Sequence, residues 1–230
     1  MATLNASKWG RAARASQTSH ANARDGTTAT NLMVNPTSGA WGMRYQQQAG
    51  RGSTLYHIYR TFYYFDTSGI TGNVTNSSLN MLGSIDQTAT VVVVPSTAFG
   101  GDGSADLIAD DFNNITFNLD YGPSFTSWDD GLNNEYAFRH NTDTEGIVNA
   151  AIRDNDYFIC AVIEYNYDYS DTSPGSATIA SSGINHATVA YLDYTEASSG
   201  YANNVMGVAT ANIGKVSSVA TANIGKIIGI

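Results

Sequence analysis

LYHIYRTFYYF, Leu55 to Phe65, runs for eleven residues without a Gly or a Pro. Aromatic and β-branched side chains make up most of it, and these fit a pleated, packed surface best, so the stretch predicts one long strand. Outward from it, Gly, Asn, Asp and Ser clusters punctuate further apolar runs at short spacing. These predict strands over Ser78–Ile85, Ala89–Val94, Ile115–Leu119, Tyr136–Arg139, Tyr157–Tyr165, Ala177–Ala180 and Ala187–Tyr194. A single helix is expected over Thr144–Arg153, where Thr144 caps and Ile147, Val148, Ala151 and Ile152 share one face. About eight short strands joined by turns make the chain all-β, and a β-sandwich of jelly-roll-like topology is the expected fold.

Composition agrees. Of 230 residues 42% are hydrophobic and only 13% charged, with 22 Gly and 14 Tyr, a mixture that favours strands and turns and is ample for a packed core. The single cysteine, Cys160, excludes an internal disulfide, and its apolar neighbours mark a buried thiol in a core strand rather than a nucleophile. The first residues have no apolar leader segment, and nowhere do 18 apolar residues run together. Secretion by a classical signal and membrane insertion are therefore not expected.

Charge divides the chain unevenly. Residues 1–60 carry seven basic side chains and one acid, whereas residues 61–230 carry four basic and nineteen acidic ones. Such a split suits head-to-tail contact between copies, or equally two parts of one chain folded against each other. So acidic a body makes nucleic acid a poor partner. Three regions follow: a basic N-terminal arm over 1–50, which is expected to stand apart or to pack on the sandwich; the sandwich over 51–200; and a repetitive segment over 201–230.

That last segment is a duplication. VMGVATANIGK (205–215) is followed by VSSVATANIGK (216–226) and then by IIGI. Its large apolar residues are Val205, Val208, Ile213, Val216, Val219, Ile224, Ile227 and Ile230. On a helix they would form one broad stripe with a gentle right-handed supercoil, but Val, Ile, Thr, Asn and Gly are mediocre to poor helix formers. A turn-punctuated extended form wound with neighbouring copies fits better. So thin a strip cannot bury its own apolar side chains, so it is expected to serve oligomerisation or docking.

The search for chemistry yields few candidates. His20, His57, His140 and His186 are scattered, with no zinc spacing and no Gly-x-Ser-x-Gly elbow. No carboxylate pair has a spacing that would assign glycoside cleavage, and the four Asn-x-Ser/Thr matches are what chance gives in so Asn-rich a chain. Calcium is the one ion suggested: Asp102, Asp106, Asp110 and Asp111 crowd one Gly-rich connection, and hard oxygen ligands on a loop suit it. A plain solvated acidic loop is the alternative. Tyr165, Tyr167 and Tyr169 alternate, so on a strand their rings would share one face, as a glycan- or partner-binding surface or as a face packed on the other sheet. Trp41 and Trp128, in Gly/Ser-rich surroundings, are either binding-loop aromatics or core residues.

Several stretches carry a resemblance. Arg60-Thr-Phe-Tyr-Tyr-Phe65-Asp66-Thr-Ser-Gly-Ile70, followed by Asn76-Ser-Ser-Leu79-Asn-Met-Leu82, resembles the DNRLRE-type jelly-roll domains: an arginine, an apolar strand, Phe-Asp, Ser, Ile, and a second apolar strand. Pro95–Phe99, Asp110–Ile115 and Asp156–Tyr169 resemble segments of uncharacterised structural proteins of tailed phages and prophages, whose C-terminal cassettes of the form Val-Ala-x-Ala-Asn-Ile-x-Lys are also similar. Together the matches span about residues 55–230 and leave the first fifty outside. The resemblance implies a non-enzymatic virion surface protein (fibre, tail or baseplate component, or head decoration) without catalytic residues. Its expected partners are further copies of itself, as a trimer, other virion proteins, and a host surface glycan. A carbohydrate-binding module and a self-polymerising filament subunit are the alternatives.

Overall fold

The computed structural model of the chain describes residues 1–37, 41–49, 52–87, 89–126, 133–139, 150–175, 181–186, 189–197, 215–216 and 219–220. Among them run thirteen strands: β1 (Ala2–Asn5), β2 (Lys8–Gln17), β3 (Asn31–Val34), β4 (Arg44–Ala49), β5 (Thr54–Asp66), β6 (Val74–Gln87), β7 (Val91–Pro95), β8 (Asn133–Ala137), β9 (Tyr157–Glu164), β10 (Ser181–His186), β11 (Tyr191–Glu196), β12 (Lys215–Val216) and β13 (Val219–Ala220). One short α-helix, α1 (His20–Arg24), follows β2.

The aromatic stretch becomes β5, the axis of the larger sheet. Along one edge it pairs with β2; along the other it pairs first with β4, through Tyr59, and then with β9, from Thr61. β3 extends the sheet beyond β2, β7 beyond β9 and β10 beyond β4. β6 is long enough to serve both sheets, since Val74–Asn80 pairs with β11 and its last residues pair with β10. β1, β11, the first part of β6, and β8 form the second sheet. Every pairing is antiparallel, and the two sheets face each other as an all-β sandwich.

The larger sheet is covered on both faces. Tyr63, Phe65, Val91, Val93, Phe158, Cys160 and Val162 pack against Val74, Leu79, Met81, Tyr136 and Leu192 of the second sheet. The alternate residues Ile58, Phe62, Val92, Val94, Ile159, Ala161 and Ile163 pack under Ala23 of α1 and under Phe99, Leu107 and Phe112 of the connection after β7. Burial on both faces explains why β7 and β9 read as unbroken apolar runs rather than alternating ones. Each valine of Val91–Val94 is at most 1% exposed, contributing about 1.5 kcal/mol or more by burial. Cys160 lies in this core, and burial pushes its thiol pKa upward.

Several expectations need correction. The first fifty residues are not a separate arm: they supply β1 to β4, and β2 lies against the whole middle of β5. The expected strand at Ile115–Leu119 is a single bridge, Ile115 to Ser96, followed by a turn in which Asn118 has φ 63°. Phe117 lays its ring on the guanidinium groups of Arg24 and Arg60, described below. The strand expected over Tyr157–Tyr165 ends at Glu164. Residues 144–149 of the expected helix lie outside the described residues, and Ala150–Asp154 forms one π-helical turn. The strand expected at Ala177–Ala180 also lies outside them.

Candidate functional site

The three tyrosines do not line a strand. Tyr165–Tyr169 is a π-helical turn at the end of β9, closed by a hydrogen bond from the Ser170 N–H to the Tyr165 carbonyl at 2.9 Å. Two side chains force it. Glu164 Oε2 accepts from the Tyr167 N–H at 2.6 Å, which turns the chain off the sheet, and Asp168 is drawn inward. The turn stacks Tyr165 on Tyr169, with ring centroids 5.6 Å apart, and lays Tyr167 on Tyr45 at 4.4 Å. Tyr169 donates its hydroxyl hydrogen to Asp120 Oδ2 at 3.0 Å, and burial first, then this bond and the Asp120 charge, push its pKa up to about 12. All three rings are partly buried against the core.

Beneath the turn lies a fully buried ion pair. Arg60 on β5 donates Nε to Asp168 Oδ2 at 2.9 Å and Nη2 to Oδ1 at 2.7 Å, the bidentate fork that guanidinium and carboxylate geometry favour. Two more of its hydrogens go to the carbonyls of Phe112 (2.7 Å) and Arg24 (2.9 Å). Phe112 and Phe117 stack on the guanidinium at 4.0 and 5.1 Å. Arg24, whose Nε donates to the Asp168 carbonyl at 2.6 Å, lies over Phe117 at 4.1 Å. One cluster thus ties β5, α1, the connection after β7, and the tyrosine turn together. Glu164, also buried, accepts from the Ser182 hydroxyl at 3.2 Å. Burial, reinforced by the Asp168 charge and offset by hydrogen bonds to Tyr167, Asn166 and Ser182, raises its pKa to about 6.

The four aspartates disperse. Asp111 is buried and stitches its connection closed, Oδ2 accepting from the Phe99 and Ile108 N–H groups (3.2 and 3.0 Å) and Oδ1 from the Asn114 side chain (2.8 Å). Asp110 accepts from the Thr28 hydroxyl at 2.7 Å, and Asp102 caps Ser104 at 2.8 Å. Asp106 stands 3.7 Å from Lys8 Nζ, which also donates to the carbonyls of Gly103 and Ala105 at 2.8 and 2.9 Å. Two of the loop's carbonyls are thus turned on an ammonium. Gly103 is required there: its φ is +83°, and a Cβ would lie 2.2 Å from the Tyr64 ring. Among the described residues no three His, Cys, Asp or Glu side chains gather into a metal site.

Trp41 is 2% exposed and packs edge-on against Tyr63 at 6.3 Å, which makes it core rather than a binding-loop aromatic. Trp128 lies outside the described residues, as do Val205, Val208, Ile213, Ile224, Ile227 and Ile230. Of the repeat, only the short antiparallel pairing of Val216 with Val219 and of Lys215 with Ala220 is described.

Part of the charge split is met within the chain. Lys8, Arg24 and Arg60 from the basic part pair with Asp106, Asp171 and Asp168 of the acidic part. A second group escaped the sequence reading. Arg11, Tyr59 and Arg44 are far apart in the chain, yet strand register sets them side by side in the lining of a cleft of about 280 Å³. The excess of basic residues in the first sixty was the available signal, but only pairing could show which arginines meet. Compared with known proteins, the chain matches no family model and no curated protein.

Proposed function

We propose that this chain is a non-enzymatic structural protein of a phage virion surface, a fibre, tail, baseplate or head-decoration component. It assembles as a homo-oligomer, a trimer, through residues 205–230, docks on other virion proteins, and presents a jelly-roll sandwich to the host surface. The observation that carries this reading is the doubled cassette VATANIGK, an apolar strip that needs partners to be buried. Its first copy closes at Lys215, and the Lys215–Val216 pairing with Val219–Ala220 falls on the junction between copies. The buried Arg60, Asp168 and Glu164 support the same reading, since their hydrogen bonds hold elements of the fold together. Immunogold labelling of purified phage particles with antibodies against this chain tests it. Label on the particle surface is expected; particles that carry none of the chain overturn the reading.

A further inference from the structure

We propose that the outer edge of β3, with Val34 and Ile108 beside it, docks residues 205–230 of a second copy of this chain as an added strand. The inference rests on the proposed assembly through those residues and names the surface that receives them.

β3 ends the larger sheet. β2 pairs with one side of it, and no described strand pairs with the other. The Asn35 N–H donates to the Trp9 carbonyl at 2.8 Å, and inward- and outward-facing residues alternate in an antiparallel pair. Met33 therefore turns its backbone groups to β2, while Leu32 and Val34 turn theirs outward. Such a row of N–H and C=O groups is a template for another strand, and sheets commonly blunt it with charge or proline. Asn31-Leu-Met-Val34 carries neither.

The side chains along this edge are apolar. Leu32 packs against the core beneath α1 with its register partner Ala12, and Val34, directly opposite Gly10, shares that face. The connection after β7 runs beside it. A Cβ on Gly10 would lie 2.7 Å from Leu107 Cδ2, and the Ala29 N–H, two residues before β3, donates to the Ala109 carbonyl at 2.8 Å. Ile108 sits between those two anchors. Besides Met1, Val34 at 40% and Ile108 at 52% are the large apolar side chains that stand exposed among the described residues. β1, which ends the second sheet, lacks such a pair, since its Leu4 packs against the core.

Charge selects the occupant. Asp106 and Asp110 flank Ile108 in the chain, and both are exposed. Lys8 stands 3.7 Å from Asp106, whereas Asp110 accepts from the Thr28 hydroxyl and has no cationic partner among the described residues. Residues 205–230 bring what this edge lacks: Val and Ile at short intervals, Lys215 and Lys226, and no acid. Added as a strand, the segment gives backbone partners to Leu32 and Val34, apolar cover to Val34 and Ile108, and a lysine to the aspartates.

The test follows hydrogen exchange of single amides in the full chain at high and low protein concentration, beside light-scattering mass. In the oligomer the Leu32 and Val34 amides should exchange slowly, and on dilution to the monomer they should exchange fast, while Met33 stays protected by β2 throughout. Val34→Lys and Ile108→Lys, changes at exposed residues, should each raise the concentration needed for assembly roughly tenfold, with the monomer's unfolding temperature unchanged. Lys215→Glu with Lys226→Glu should weaken assembly by a few fold at low salt and less at high salt. An oligomer in which Leu32 and Val34 exchange freely overturns this docking surface and leaves assembly through residues 205–230 standing. Slow exchange of both amides in a monomer places the cover within one chain and overturns docking between copies. Assembly unchanged by the paired lysine substitutions at low salt overturns residues 205–230 as the occupant. A chain that is monomeric at every concentration, with both amides fast, overturns this proposal and the assembly reading together.

Discussion

Replacing Asp168 by Asn tests the buried cluster that holds the tyrosine turn to the sheet. Asn keeps the shape and one acceptor oxygen but removes the charge facing Arg60, whose guanidinium is fully buried and has Asp168 as its bidentate partner. Removing one partner of a buried pair costs about 3–5 kcal/mol, because the other charge stays desolvated. The retained oxygen and the Phe112 and Phe117 rings stacked on the guanidinium place Asp168→Asn near the lower figure. For a chain of this length each kcal/mol lowers Tm by about 2–4 °C, so about 3 kcal/mol corresponds to about 6–12 °C. Thermal unfolding followed by circular dichroism reads the shift, and high salt should barely change it, since buried pairs are little screened. The double variant Arg60→Met with Asp168→Leu should recover part of the loss, because apolar replacement of a whole pair is often close to neutral. Recovery stays incomplete because the Phe112 and Arg24 carbonyls lose their donor. A shift for Asp168→Asn below about 2 °C, where about 6–12 °C is expected, or one abolished by salt, would show that the pair does not hold the turn to the sheet.

Further predictions concern pH and the acidic connection. Glu164 titrates at about 6 in the folded chain against 4.5 as its ordinary value. The folded state therefore holds a proton that the unfolded state releases, and this contribution to stability is greatest below pH 4.5 and is lost as pH rises through 6. At about 1.4 kcal/mol per pH unit the difference is about 2 kcal/mol. Wild type minus Glu164→Gln stability, from urea midpoints, should fall by that amount across the window; a flat difference contradicts the assignment. Asp111→Ala strips an acceptor from the Phe99 and Ile108 amides and the Asn114 side chain, and should cost about 1–3 kcal/mol in urea unfolding. Calcium or a chelator should leave Tm unchanged in wild type, because Lys8 already occupies the loop's carbonyls; a rise with calcium refutes that account.

How legible the fold was depended on what each strand presents. β5, β7 and β9 could be read because large apolar or aromatic side chains dominate them, and β6 because Leu79, Met81, Leu82 and Ile85 recur among its polar residues. β2, with Gly10, Ala12 and Ala13 along Lys8–Gln17, lacks that signature: small residues lie there against the bulky rings of β5, and size complementarity leaves no hydrophobic periodicity to read. β4 reads as polar, yet Tyr45 and Gln47 are fully buried, with Gln47 bonded to the Gly175 carbonyl. The Tyr-x-Tyr-x-Tyr alternation misled for a different reason. Spacing of two fits a strand, but Glu164 accepts from the Tyr167 N–H three residues on and Asp168 pairs with Arg60 across the fold, effects that a period of two does not contain. Aspartates clustered in sequence do not gather into one site for a related reason, each being held by a different partner.

The proposed assembly of this chain through residues 205–230 is decided by the light-scattering mass of the intact protein beside a variant lacking those residues. The intact chain should have three times its 24.5 kDa mass, and the shortened one should be a monomer whose circular dichroism keeps the sandwich signature. The same oligomeric state for both would contradict the claim.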